Sequence, residues 1–252
     1  MKLFFDAGPI ITLVMSRLDW ILPLLKKHAN AQFYITPAVK MEVVDRPLRI
    51  KRFEFEALQV LKHIREGTLQ IYKDVPNAEV KRLKTIANGS FSINNKKLDI
   101  LQEGELQSAS SALKENAAVV IDERTLRLFI ESNKNMQSLL GRRFKRKVDG
   151  NKVKMNEFSA HYSKLKIIRS IELVGVAYKL GLLDSYIPKR KYGRNILVDS
   201  VLWATKFNGC AVTNHEVEEL ERFLLKGAVK LIGKQQHQKV HESVSRIIKE
   251  DS

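Results

Sequence analysis

Four carboxylates stand at places where a chain usually puts reactive groups rather than core residues. Asp6 and Asp122 each follow a short apolar run, Glu42 lies one to two turns into an expected helix, and Glu105 opens a helix of small residues. Carboxylates that meet repel one another unless a cation lies among them. Mg²⁺ and Mn²⁺ prefer oxygen ligands of this kind. Two such ions can activate water and stabilise the leaving oxygen in phosphodiester cleavage.

Strands that alternate with helices must bring these acids together. Apolar runs predict buried strands at 2–6, 31–35, 69–75 and 118–122, with helical patterns between them. Thr36 is expected to cap the helix that carries Glu42. This alternation predicts an α/β fold in which helices cover both faces of a parallel sheet. Ligands bind beyond the carboxyl ends of such strands, where Asp6 and Asp122 are expected.

Three further segments carry weaker expectations. The composition of 85–97 is typical of a loop, and 165–183 has the apolar spacing of a helix that ends near Gly181. The segment 195–232 predicts helix, strand, helix and strand. His237 and His241 have a ligand-like spacing but lie in a charged tail, which favours a solvated pair.

The segments "FFDAGPIITL", "ITPAVKMEVV", "GELQSASSA" and "AVVIDERTLR" resemble, in that order, the acidic motifs of PIN-domain ribonucleases. The similarity is greatest to archaeal and bacterial PIN proteins with Gly-Glu at the third acidic position. It implies a three-layer α/β/α sandwich and metal-dependent hydrolysis of RNA to a 5′-phosphate and a 3′-hydroxyl. It also implies that the four acids bind Mg²⁺ or Mn²⁺ and position the attacking hydroxide. The expected catalytic and metal-binding residues are Asp6, Glu42, Glu105 and Asp122.

More than one interpretation is open at several of these positions. Asp6 could simply cap the following helix. Glu103 competes with Glu105, and Glu123 competes with Asp122. Asp199 is a reserve acid, because 195–232 also resembles the third and fourth PIN motifs. We interpret that segment as a tail packed on the core, rather than as the true end of the PIN half or a degenerate second unit.

The chain is strongly basic, with a formal net charge of +16. This charge favours a polyanionic partner, and nucleic acid more than an anionic membrane surface. The residues expected to bind RNA form two clusters, Arg142, Arg143, Lys145, Arg146 and Lys147, and Lys189, Arg190, Lys191 and Arg194. Phe144 lies within the first cluster and Tyr192 within the second, and both could stack on unpaired bases. A third basic patch covers 46–52.

The 252 residues are divided into a PIN-like nuclease domain, 1–135, and a basic, largely helical C-terminal region, 136–252. No apolar run is long enough to span a membrane, and Asp6 interrupts the apolar start of the chain, so a cytoplasmic protein is expected. The single cysteine, Cys210, excludes an internal disulfide framework and is expected to be buried.

The sequence therefore predicts a metal-dependent ribonuclease that uses Mg²⁺ or Mn²⁺ and binds RNA. A catalytically weak PIN-fold protein that binds RNA or acts as a scaffold is a second interpretation. It is favoured by Gly8, where many relatives have Ser or Thr, by Glu105, where relatives more often have Asp, and by "IDE" in place of Thr-Asp-Asp. A toxin ribonuclease with an antitoxin-like protein partner, or a nuclease for structured DNA, would also fit the motifs. PIN proteins often form homodimers, which adds a second copy to the expected partners.

Overall fold

The computed structural model describes residues 1–226, apart from the side chains at 133 and 134. Within this range the chain forms two sheets and a series of helices. The strands in chain order are β1 Lys2–Phe5, β2 Gln32–Ile35, β3 Leu69–Ile71, β4 Phe91–Ile93, β5 Lys96–Lys97, β6 Ala118–Val120, β7 Asp149–Gly150 and β8 Lys166–Ile168. The helices are α1 Ala7–Met15, α2 Ile21–His28, α3 Pro37–Lys40, α4 Glu54–Arg65, α5 Asn77–Asn88, α6 Glu103–Lys114, α7 Arg124–Glu131, α8 Asn133–Phe144, α9 Lys152–His161, α10 Ser170–Lys179, α11 Gly193–Phe207 and α12 Asn214–Leu225.

The main sheet has the order β3-β2-β1-β6-β8, and every pair in it is parallel. Alternate residues of the central strand β1 point to opposite faces. Leu3 and Phe5 belong to one apolar core, and Phe4 belongs to the other. Helices α1, α2, α10, α11 and α12 contribute to the first core, and α5 to α9 contribute to the second. The predicted α/β class, with helices on both faces of a parallel sheet, is confirmed.

The predicted cap of the helix that carries Glu42 is also confirmed. The Thr36 hydroxyl accepts a hydrogen bond from the Val39 N–H, and Pro37 occupies the first helical position, where its missing N–H costs nothing. Helix α3 then continues into a π-helical turn at Met41–Asp45. Such turns shift the direction of the side chains that they carry, and Glu42 lies in this one.

Three secondary-structure predictions were wrong or incomplete, those for the segments 85–97, 165–183 and 195–232. The segment 85–97 is not a loop but the end of α5 followed by β4 and β5, joined by a turn in which Asn94 and Asn95 have positive φ angles of 48° and 63°. Such turns favour asparagine, and these polar residues gave the segment the composition of a loop. The segment 165–183 is not one helix, since strand β8 lies at its start.

No strand follows α11 within residues 1–226, because the Cys210 N–H bonds back to Thr205 and the Ala211 N–H donates to the Asp122 carbonyl. The second strand predicted within 195–232, and His237 and His241, lie outside the described residues. Cys210 is buried, as expected, and burial raises the pKa of its thiol.

The predicted division at residue 135 runs through shared structure. Strand β8 pairs with β6 at the edge of the main sheet, and α10, α11 and α12 complete the first core. A smaller antiparallel sheet, β5-β4-β7, takes its strands from both sides of the division. Among residues 1–226, none of the helices has the length and apolar character that crossing a membrane requires.

Candidate acidic site

Asp6 and Asp122 lie side by side at the carboxyl edge of the main sheet. Asp6 directly follows Phe5, and Asp122 comes two residues after Val120. Phe5 and Val120 are paired in register, and the Asp6 N–H donates to the Val120 carbonyl at 3.0 Å. Gly8 lies between them. A Cβ atom at Gly8 would be 3.6 Å from both the Asp6 Oδ2 and the Asp122 Cβ. The parallel pairing thus brings the first and fourth predicted acids together.

Glu42 and Glu105 approach from the two helices that pack above this edge. Helices α3 and α6 are in contact, and the Ala38 N–H donates to the Gln107 Oε1 at 3.2 Å. The Glu42 carboxylate lies against the first turn of α6, because a Cβ atom at Gly104 would be only 2.9 Å from its Oε1. A side chain at position 104 would therefore displace the end of Glu42. Gly104 and Glu105 form the Gly-Glu pair of the third acidic motif, and Gly104 is the point at which Glu42 approaches the helix that carries Glu105.

Burial and mutual repulsion raise the pKa values of three of these carboxyls. Burial, with contributions from the charges of Glu42 and Asp122, raises the pKa of Asp6 to about 7, although the Ala7 and Gly8 N–H groups oppose the shift. Burial, followed by the charge of Asp6, raises the pKa of Glu105 to about 8.

The pKa of Glu42 is also raised, mainly by burial, although the charge of Arg46 lowers it. Each of these carboxyls thus feels the negative charge of a neighbouring acid. Shifts of this kind, caused by burial together with specific charge partners, are typical of functional sites.

Three of the acids also bond to backbone N–H groups at helix starts. Asp6 accepts from the Gly8 N–H at 3.4 Å, and Glu105 accepts from the Gln102 N–H at 2.8 Å. Asp122 accepts from the Ser170 N–H at 2.8 Å and from its hydroxyl at 2.7 Å. In these side-chain positions, no group of three or more His, Cys, Asp or Glu residues within residues 1–226 is arranged to hold a metal ion.

The structure distinguishes Glu105 from Glu103 by burial, but it places Glu123 as well as Asp122 near the other acids. Glu105 is buried and feels the charge of Asp6, whereas Glu103 is exposed and accepts a hydrogen bond from Gln107 at 3.3 Å. Glu123 caps α7 through Thr125, and its charge contributes to the raised pKa of Glu105. Glu123 therefore lies near the four predicted acids.

Asp199 is not brought to these acids. It is exposed on α11, and its charge acts on Glu221 of α12. Ser170, the partner of Asp122, was missed by the sequence analysis because the strand before it was interpreted as part of a helix. A strand at Lys166–Ile168 would have placed Ser170 at the same sheet edge.

The predicted RNA-binding clusters are exposed on different parts of the surface. Residues 142–147 form the end of α8 and the segment that leads into β7. Residues 189–194 come shortly after Tyr186, whose ring stacks on that of Trp20 with the ring centroids 6.2 Å apart; Trp20 directly precedes α2. Phe144 is 41% exposed and Tyr192 is 65% exposed. The third patch, 46–52, begins at Arg46, whose charge reaches Glu42.

The chain matches no protein-family model, no curated protein and no solved structure. Its chemistry must therefore be inferred from its own residues and their arrangement.

Proposed function

We propose that this protein is a PIN-type, metal-dependent ribonuclease whose site is built on Asp6, Glu42, Glu105 and Asp122. One observation carries the proposal most strongly: buried carboxyls on separate elements lie near one another at the carboxyl edge of a parallel sheet, where burial first, and then the charges of neighbouring acids, raise the pKa values of Asp6 and Glu105. The order of the acidic motifs along the chain gives independent support. A stable fold gains nothing from this repulsion, but a cation placed among the carboxylates would relieve it.

The donors are of the chemical type that a hard divalent cation prefers, although within residues 1–226 the side chains are not arranged around a metal ion. Asp6, Glu42 and Glu105 offer carboxylate oxygens, and their raised pKa values are the shift that a nearby cation would reverse. Asp122 would have a different role from these three acids, because both of its carboxylate oxygens already accept hydrogen bonds from Ser170. It would orient the site and add negative charge beside Asp6.

A divalent cation bound at this edge would supply charge stabilisation for the scissile phosphate and would lower the pKa of water. The chain's own residues would then bind and orient the substrate. Asp6 and Glu105 must lose their protons before they can act as ligands, so metal affinity rises with pH through about 7 to 8. Arg46, exposed beside Glu42, is placed to contact a substrate phosphate.

A second candidate function is RNA binding without efficient cleavage. The hydrogen bonds that Asp6, Glu105 and Asp122 accept from helix starts favour it, because they give these carboxylates a structural task. This candidate predicts RNA binding that is the same with Mn²⁺ and with EDTA, and no turnover. A homodimer, an antitoxin-like partner and a DNA substrate remain proposals that the same purified protein can test.

The decisive experiment compares Asp6→Asn with Asp199→Asn, which makes the same chemical change on an exposed helix face. Cleavage of a labelled single-stranded RNA is measured in Mn²⁺, with a DNA strand of the same sequence alongside. We expect Asp6→Asn to lower the cleavage rate at least about 1,000-fold, because it removes a carboxylate that holds the cation. Asp199→Asn should cleave like the wild type, and both variants should still bind RNA in EDTA.

Equal cleavage by the wild type and Asp6→Asn would contradict the proposal. Absence of metal-dependent cleavage in the wild type, with RNA binding intact, would favour the second candidate. Preferential cleavage of the DNA strand would change the substrate class and leave the acidic site in place.

A further inference from the structure

The small sheet β5-β4-β7 brings together basic residues that are far apart in the sequence. Strand β4 pairs with β5 on one side, Ser92 with Lys97, and with β7 on the other, Ser92 with Asp149. The Asn151 N–H also donates to the Ser90 carbonyl at 2.8 Å. Lys96 and Lys97 therefore share one sheet with the segment that directly follows the 142–147 cluster.

This sheet is anchored to the second core, so its charged residues have a firm support. Phe91 of β4 is 1% exposed and packs against Phe129, with ring centroids 5.2 Å apart. Val148, next to β7, is buried, and its carbonyl accepts a hydrogen bond from Gln137 at 2.7 Å. The anchoring residues point inward, which leaves the lysines and arginines on the outside.

The basic side chains of this surface have few acidic partners. Lys147 approaches Asp149 at 4.0 Å, and this is the one ion pair that these side chains form within residues 1–226. Phe144, at 41% exposure, lies among them. Exposed cations held close together repel one another, and binding a polyanion removes that repulsion. We call this set the hairpin surface: Lys96, Lys97, Arg142, Arg143, Lys145, Arg146 and Lys147, all exposed.

The hairpin surface is joined directly to the acidic site. Lys97 is five residues before Gln102, whose N–H bonds to the Glu105 carboxylate at 2.8 Å. Five residues span at most about 17 Å. An RNA strand held on the hairpin surface would therefore reach the acids within a short distance. The 189–194 cluster lies elsewhere, near Trp20 and Tyr186.

We propose that the hairpin surface binds the backbone of single-stranded RNA and leads it to the acidic site, with Lys96 and Lys97 as phosphate contacts. Phe144 provides an exposed ring on which an unpaired base can stack, which favours a single strand over a duplex. This inference rests on the proposed function for the reaction, but it concerns binding alone. Sequence patterns did not indicate these two lysines, because 85–97 has the composition of a loop.

The test compares two variants that lower the net charge equally. Lys96→Glu/Lys97→Glu reverses two charges on β5, and Lys164→Glu/Lys166→Glu reverses two exposed charges at the start of β8. Binding of the full-length chain to a fluorescent single-stranded RNA is measured in EDTA at several salt concentrations. Because EDTA removes divalent metal, the result does not depend on cleavage. Thermal melts check that each variant is folded.

We expect the β5 variant to bind at least about 10-fold more weakly than the control variant, because two phosphate contacts are lost. The slope of log affinity against log salt should fall by about 1.4, or about 0.7 for each contact to a single strand. If charge reversal lowers the melting temperature, Lys96→Gln/Lys97→Gln should show the same loss of slope against Lys164→Gln/Lys166→Gln.

Equal weakening in the β5 and β8 variants would overturn the inference, since only net charge would matter. A wild type that does not bind RNA in EDTA would overturn it as well. The two proposals fail in different ways. Equal cleavage by the wild type and Asp6→Asn would contradict the acidic site but not RNA binding by the hairpin surface. Equal RNA binding by the β5 and β8 double variants would contradict the hairpin surface but not the acidic site.

Discussion

Two groups of buried and half-buried acids lie near the same edge of the main sheet, and they are built in opposite ways. In the acidic site, burial, and then the charges of neighbouring carboxylates, raise the pKa values of Asp6 and Glu105. In the second group, Arg169 lies between two glutamates. Its Nη2 is 2.6 Å from the Glu172 Oε1, and its Nη1 is 2.7 Å from the Glu216 Oε1.

The pKa of Glu216 shows the consequence of the arginine. Burial acts to raise it, but the Thr213 N–H and the charge of Arg169 lower it to about 2. The carboxylates of this second group are therefore compensated from within the chain. In the acidic site, by contrast, Arg46 acts on Glu42, and the more deeply buried Asp6 and Glu105 feel the charges of other acids, which a ligand could offset.

The two groups are linked through Asp122 and Ser170. The Asp122 carboxylate bonds to the first residue of α10, next to Arg169. The difference between the groups teaches how to separate structural from functional acids in this fold. A structural acid has its cation built in beside it, as Glu172 and Glu216 have Arg169, whereas the acids proposed to bind metal are left with a repulsion that a bound cation would remove.

Removal of the arginine is expected to have the largest effect on stability. Arg169→Met leaves Glu172 and Glu216 without their cation, which should cost about 3–5 kcal/mol in the free energy of unfolding. For a chain of this size the melting temperature should fall by roughly 6–20 °C. Arg194→Met, at an exposed pair 3.7 Å from Asp184, is the matched control and should change little. Equal melting temperatures would show that the arginine is not needed to hold these glutamates.

The pH dependence of stability should distinguish the two groups by sign. Asp6 has a pKa of about 7 in the folded chain and an ordinary value of 3.8, so between these values the folded state binds more protons than the unfolded state. Its contribution to the free energy of unfolding therefore falls as the pH rises from about 4 to 7. Glu105 behaves in the same way between 4.5 and about 8. Glu216 has the opposite sign, because its contribution is lost as the pH falls from 4.5 towards about 2.

Urea melts in EDTA at pH 5.5, 7 and 8.5 measure this difference. Asp6→Asn should be less pH-sensitive than the wild type and more stable at pH 8.5, since its neutral amide avoids the buried charge. Added Mn²⁺ should stabilise the wild type at pH 8.5 and leave Asp6→Asn unchanged. A wild type that gains stability relative to Asp6→Asn as the pH rises in EDTA would contradict the repulsion on which the site is built.

A smaller effect is expected where α6 touches Glu42. Gly104→Ala would place a Cβ atom 2.9 Å from the Glu42 Oε1, so the end of that side chain must move. We expect a cleavage rate lowered by up to about 100-fold with the melting temperature nearly unchanged, because misplacement alters geometry more than packing. Gly141→Ala in α8 is the control, since its Cβ atom would be at an ordinary 3.5 Å from the Arg146 carbonyl. Equal rates for the two variants would remove Glu42 from the site.

The sequence predicted secondary structure correctly where residues adjacent in the chain determine it. Apolar runs predicted the strands before Asp6 and Asp122, and Thr36 with Pro37 predicted the start of α3. Glu105 could not be separated from Glu103 by pattern, because only the packing of α6 decides which one is buried.

Other features depend on partners distant in the sequence. Ser170 bonds to Asp122 across 48 positions, and Arg169 bonds to Glu216 across 47 positions. The short strand β8 was missed because it runs directly into an apolar helix, which extends the helical pattern through it. The β4–β5 hairpin was missed because its turn residues are polar. In both cases, pairing with a distant strand outweighed local composition.

The central claim is that a divalent cation binds the acidic site, and a calorimetric titration of Mn²⁺ tests it most directly. The wild type, Asp6→Asn and Asp199→Asn are titrated at pH 8, where deprotonation of Asp6 and Glu105 is favoured. We predict saturable binding to the wild type and to Asp199→Asn, and loss of that binding in Asp6→Asn. A folded wild type that binds no Mn²⁺, or Asp6→Asn that binds it equally well, would contradict the claim and make Asp6 a structural acid.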